Sequence, residues 1–193
     1  MKILFPVTAL LLFAFSCNNA GETKAGDSKA GTEEKQKFFP VTSFLKGEIF
    51  NLKKNGINPL KFTTVNDRTD SAWLKIEEID DAVKEFLQPE IDTANLTAFF
   101  SEKSFFDQTI NAVTFTYEAA GVLPDSIKLV NWDVYVDPDA NRVKRVYMVK
   151  QQDKDTQLQL TWVTGKWCKI TTIVTDEKGG STVKKEEKIT WDF

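Results

Sequence analysis

Ser43-Phe44-Leu45-Lys46 has S-x-x-K spacing, which on a helix sets a lysine amine one turn from a serine hydroxyl, a pairing that supports acyl transfer. The companion elements of that chemistry are missing: no S-D-N follows, and Thr164-Gly165-Lys166 is not K-T-G. The pair equally suits the polar side of a helix. Asp137, Asp139 and Asn141 match the first three ligand positions of a calcium loop. The sixth position is Arg142 instead of glycine and the twelfth is Met148 instead of glutamate, so turn chemistry at Asp137-Pro138-Asp139 is the simpler reading. Cys168 lies between Lys166 and Lys169, which favour a thiolate, but an apolar strand context favours a small buried hydrophobe. The acid pairs Glu77-Glu78, Asp80-Asp81 and Glu186-Glu187 supply carboxylates without an indication that two converge across a cleft. The aromatics are the most suggestive group. Trp132, Trp162 and Trp167, with Tyr135 and the carboxylate of Asp133 beside them, are candidate ligand contacts if their rings lie exposed, and core residues if they do not.

The chain has no histidine, which removes histidine-based nucleophilic triads, histidine general bases and histidine metal ligands. Its 25 Lys and Arg against 28 Asp and Glu give a net charge of -3, with no electrostatic footprint for nucleic acid. No metal or cofactor is expected from these residue types. At 41% hydrophobic and 12% aromatic, the chain can fill a core.

The elements that would position these residues divide at mid-chain. Val41, Phe44, Leu45, Ile49 and Leu52 recur at helical spacing until Asn55-Gly56. Residues 59–66 read as one strand. Thr69-Asp70-Ser71 resembles a helix cap before Trp73, Ile76, Ile79, Val83, Phe86 and Leu87, and Asp92 caps a second helical stretch with Leu96, Phe99 and Phe100. From Val113 onward the period is two. Val113, Phe115 and Tyr117, then Val130, Trp132, Val134 and Val136, then residues 142–150, Leu158, Leu160 and Trp162, residues 167–174, and Val183, Ile189, Trp191 and Phe193 read as strands joined by short turns. The expected fold is α+β: N-terminal helices packed on a curved antiparallel meander of about five to seven strands, with a lipocalin-like or half-barrel sheet as the alternative. Residues 38–193 form one domain on this reading.

The first residues read as an address. Lys2 precedes an apolar run from Ile3 to Phe15, too short to span a bilayer comfortably, and Ala14-Phe15-Ser16 ends it with small residues around a cleavage position. Residues 1–16 are therefore expected to be a signal peptide. Residues 18–37 carry nothing more apolar than alanine and repeat loosely as Ala20-Gly21-Glu22-Thr23-Lys24, Ala25-Gly26-Asp27-Ser28-Lys29 and Ala30-Gly31-Thr32-Glu33-Glu34. This is a tether with a root-mean-square reach of about 25 Å and a full stretch of roughly 70 Å. Ala14-Phe15-Ser16-Cys17 resembles the lipobox of bacterial lipoproteins, although Ala14 and Phe15 depart from its usual residues. That resemblance implies acylation of Cys17, membrane attachment through its acyl chains, and, since Asn18 is not Asp, the outer membrane; a plain secreted protein is the alternative.

Asp70-Ser71-Ala72, Asp92-Thr93-Ala94 and Asp125-Ser126-Ile127 resemble the O-glycosylation acceptors of exported Bacteroidetes-type proteins, with Ser71, Thr93 and Ser126 as acceptors; caps and turns use the same dipeptides. The chain as a whole resembles the small uncharacterised lipoproteins of that bacterial group, on motifs such as Trp132-Asp133-Val134-Tyr135 and Trp162-Val163-Thr164-Gly165-Lys166-Trp167-Cys168. The expected function is a non-catalytic, lipid-anchored envelope binding or assembly module working through a sheet face or edge, its partner an envelope protein, glycan or lipid. The alternatives are a carboxylate- or Ser/Lys-dependent envelope hydrolase and a structural surface protein without a small ligand.

Overall fold

Residues 37–192 are described in a computed structural model of the chain, so the expected signal segment 1–16, Cys17 and the tether up to residue 36 lie outside the described residues. Helix α1 (Val41–Lys54) buries Val41, Leu45, Ile49 and Leu52, one stripe at helical spacing, and Gly56 beyond its end has φ 66°. Two strands follow, β1 (Leu60–Val65) and β2 (Arg68–Trp73), joined by Asn66 and Asp67. Both turn residues have positive φ, 48° and 62°, the left-handed pair that matches the twist of a two-residue hairpin.

This hairpin corrects the first half of the sequence reading. Thr69, Asp70 and Ser71 do not cap a helix; they lie inside β2, where their side chains are exposed. Only from Ile76 does the expected helical periodicity appear, and then as single turns: two 3₁₀ turns (Ile76–Glu78 and Lys84–Leu87) flank the four-residue α2 (Ile79–Ala82). Asp92 caps a turn instead of a helix, its Oδ1 accepting the amides of Ala94 at 2.7 Å and Asn95 at 2.8 Å. Phe100 opens a strand that the reading missed, β3 (Phe100–Asp107). The remaining strands are β4 (Ala112–Ala119), β5 (Leu129–Asp137), β6 (Arg142–Gln151), β7 (Thr156–Val163), β8 (Trp167–Thr175) and β9 (Ser181–Thr190).

All nine strands form one antiparallel sheet in the order β2-β1-β9-β8-β7-β6-β5-β4-β3. The expectation of an α+β fold, helices on five to seven strands, is therefore overturned: the described residues are mostly a nine-stranded sheet, with α1 and short turns as their helical content. The lipocalin-like alternative also fails, because β2 and β3 are separate edges that do not pair with each other.

The topology explains why one sheet face is covered. The chain leaves β2 at one edge and must reach β3 at the other, across eight strand spacings or roughly 38 Å. Residues 74–99 make this crossing, and α1 lies against them: the Thr42 Oγ1 accepts the Ile91 amide at 2.8 Å, and the Thr42 amide donates to the Ile91 carbonyl at 3.1 Å. Ile79, Val83, Phe86, Ile91 and Leu96 from the crossing join Leu45 and Ile49 of α1 in one buried cluster with Trp132, Val134, Val146, Leu160, Trp162, Cys168 and Ile189 of the sheet. Lys150 fastens crossing to sheet: it is 5% exposed, and its Nζ donates to the Glu85 carboxylate at 2.5 Å and the Glu85 carbonyl at 3.1 Å.

Candidate functional site

Register sorts the strand residues between two faces. Trp132 faces Tyr117 and Met148, Met148 faces Leu160, and Leu160 faces Ile170. Val134 faces Val146, which faces Trp162, which faces Cys168. These residues belong to the covered face. The intervening positions point to the other side, since side chains alternate along a strand.

Two adjacent register rows cross the opposite face. In one, Tyr135 faces Arg145, Arg145 faces Val163 and Val163 faces Trp167. In the next, Asp133 faces Tyr147, Tyr147 faces Thr161, Thr161 faces Lys169 and Lys169 faces Lys188. All of these side chains are half-buried, and none belongs to the core cluster. The β5–β8 part of this grid is roughly 14 Å across the strands and roughly 7 Å along them.

Three of the five aromatic-group candidates, Asp133, Tyr135 and Trp167, meet on this grid. The other two are corrected: Trp132 and Trp162 are 0% exposed and serve the core. Trp132 stacks on Tyr117, with centroids 4.5 Å apart and planes at 8°, and takes Phe38 and Phe100 edge-on. Trp162 packs against Phe86 and Trp191. The split follows from the pleat: Trp132 and Asp133 are successive residues in a regular stretch of β5 and point to opposite faces, so they cannot serve one site. Sequence reading missed Arg145, Thr161, Lys169 and Lys188. The signal that finds them is the facing partner across the ladder, which requires the register.

The grid is a connected set of polar groups on aromatic supports. The Arg145 guanidinium carbon lies 3.9 Å from the Tyr135 ring centroid, and the Lys188 ammonium 5.1 Å from that of Trp167. The Tyr135 hydroxyl donates to the Asp133 Oδ2 at 3.4 Å. Burial raises the pKa of Tyr135, and the Asp133 charge adds to it while Arg145 opposes it. Tyr147 is raised in the same way, by burial first and then by Asp133 and Tyr135. Both phenols are therefore neutral donors at pH 7, beside a carboxylate acceptor and a guanidinium. Such a surface can bind hydroxylated or charged groups. It presents no nucleophile with a base.

The other sequence candidates are placed elsewhere. Ser43 and Lys46 are exposed on α1, and Lys46 pairs with Glu90 at 3.5 Å. Asp137, Asp139 and Asn141 form the β5–β6 turn: the Asp137 Oδ1 accepts the amides of Asp139 and Ala140, which hold its carboxyl below the usual range, and Asn141 has φ 47°. Among the described residues no three Asp, Glu or Cys side chains cluster as metal ligands would. Cys168 is buried, and burial pushes its thiol far up, away from the thiolate. Glu186 and Glu187 sit on opposite faces, Glu186 bound by Lys169 and Glu187 by Lys61 and Lys185. Ser71, Thr93 and Ser126 are exposed, in β2, in the Asp92 turn and in the loop before β5. Ser126 also lines a cleft of about 400 Å³ with Glu85, Gln88, Lys128, Lys150 and Gln152.

Comparison of the chain with protein-family models, with characterised proteins and with solved structures finds no match. Among the described residues no helix is long and apolar enough to cross a membrane.

Proposed function

We propose that this chain is a non-catalytic, lipid-anchored module of a bacterial cell envelope, held by acyl chains on Cys17 at the outer membrane and working through the open sheet face. The observation that carries the reading is that face: among the described residues α1 and the crossing segment cover one side of the nine-stranded sheet, while Asp133, Tyr135, Arg145, Tyr147 and Trp167 gather half-buried on the other. A face kept only for solubility would need charge alone; rings half-exposed beside a guanidinium and a carboxylate suit contact with a partner. The apolar run after Lys2, the small residues before Cys17 and the low-complexity tether support delivery and attachment. The hydrolase alternative has less support, because Lys46 is engaged with Glu90 and the Glu186-Glu187 pair straddles the sheet.

Two measurements test the parts separately. Mass spectrometry of the mature N-terminus should find an acylated cysteine, and an unmodified one would remove the anchor. Oxidative footprinting of Tyr135, Tyr147 and Trp167 should give lower labelling in intact envelopes than on the purified protein. Equal labelling in both would remove the binding face.

A further inference from the structure

We infer that the open face takes an anionic polysaccharide, whose acid groups are met by Arg145 and Lys188. This rests on the proposal that the face is a binding surface, and it names the ligand class. Charge points to the ligand class. The chain is net acidic at -3, yet the two register rows from β5 to β9 carry Arg145, Lys169 and Lys188 against Asp133 alone. Lys169 is compensated by Glu186 at 3.0 Å, in the next row. Arg145 and Lys188 enter no ion pair among the described residues, and each instead rests on a ring, Tyr135 or Trp167. A guanidinium held against a ring keeps its planar donor fork ordered, which favours bidentate capture of a carboxylate or phosphate. Asp133, accepting from the Tyr135 hydroxyl, adds an acceptor for ligand hydroxyls near Arg145.

The remaining groups select a sugar polymer among anions. Between the two cations lie Val163, Trp167, Thr161 and Lys169, flanked by Tyr147 and Thr190, with Gln157 and Gln159 further along β7, so that hydroxyls, amides and ring faces surround the one aliphatic side chain between the cations. Arg145 and Lys188 are three strand spacings and two residues apart, roughly 16 Å, further than one sugar unit reaches. An extended chain lying across the strands meets both; a small anion meets one.

The test is affinity electrophoresis of the full chain in gels containing polygalacturonate, with dextran as the uncharged control. The expected result is retardation by polygalacturonate, weakened by salt, and none by dextran. Arg145→Gln and Lys188→Gln should each weaken retardation about ten-fold, while Lys54→Gln on α1 leaves it unchanged. Arg145→Lys, which keeps charge without the fork, should fall between. No retardation by polygalacturonate, or equal loss from Lys54→Gln, overturns the inference. Retardation by dextran that Trp167→Ala abolishes and Arg145→Gln does not would also overturn it, while leaving the binding face standing. The binding face itself falls only with the footprint in intact envelopes.

Discussion

Tryptophan has opposite duties at neighbouring positions in this sheet. Trp132 is enclosed by Tyr117, Phe38 and Phe100, so Trp132→Ala leaves a cavity in the core and should cost about 3–5 kcal/mol in chemical denaturation. Trp167, half-exposed beneath Lys188, should cost less than about 1 kcal/mol when replaced by alanine. Equal losses at both positions would contradict the facial assignment. The phenols give a second residue-scale prediction. All three tyrosines of the chain titrate above their ordinary range, each chiefly through burial. A phenol raised in the folded state contributes stability that is fully present below its unfolded pKa of about 10 and is lost as pH rises beyond it. Asp133 adds to the shift at Tyr135 and Tyr147 and is not a cause at Tyr117. Asp133→Asn should therefore move two of three tyrosinate transitions part-way down in an ultraviolet titration and leave the third in place. Three unchanged transitions would remove Asp133 from the cluster.

At the scale of elements, the turn between β1 and β2 bears strain that a substitution can relieve. Asp67 holds φ 62° where glycine has no steric cost, and Asp67→Gly should stabilise the protein by up to about 1 kcal/mol, read as a higher thermal midpoint. A lower midpoint would mean that the Asp67 side chain contributes more than its backbone costs. The same hairpin marks where sequence reading lost the fold. Asn66-Asp67 lacks the glycine that usually announces a two-residue turn, while Thr69-Asp70-Ser71 offers the side chains of a helix cap, so local chemistry favoured the wrong element. β3 was hidden for a different reason: its exposed Phe105 and Phe106 are adjacent and break the alternation. The strands from β4 onward were legible because one face packs on the apolar crossing segment and the other carries mostly polar and aromatic side chains, which writes period two into the sequence. Even there, parity fails at bulges. Val183 and Ile189 share parity, but the irregularity beside Ile173 sends Val183 to the open face, where it is 58% exposed, and leaves Ile189 in the core.

At the scale of the whole molecule, the candidate site was half legible. Asp133, Tyr135 and Trp167 were identifiable as a group by composition, but Arg145, Tyr147 and Lys169 become their neighbours only through pairing between strands. Which face is open depends on a longer-range fact still: the chain must cross from β2 to β3, and its apolar crossing segment covers the side that holds Trp132 and Trp162. The proposed function thus rests on one division, a face given to the core and a face offered to a partner. Site-specific photo-crosslinking in intact envelopes tests that division most directly, with a photoreactive phenylalanine analogue replacing Tyr147 on the open face or Phe50 on the outer surface of α1, where Phe50 is 64% exposed. The account predicts a covalent adduct of increased mass from position 147 and none from position 50; adducts from position 50 with none from position 147 would contradict it.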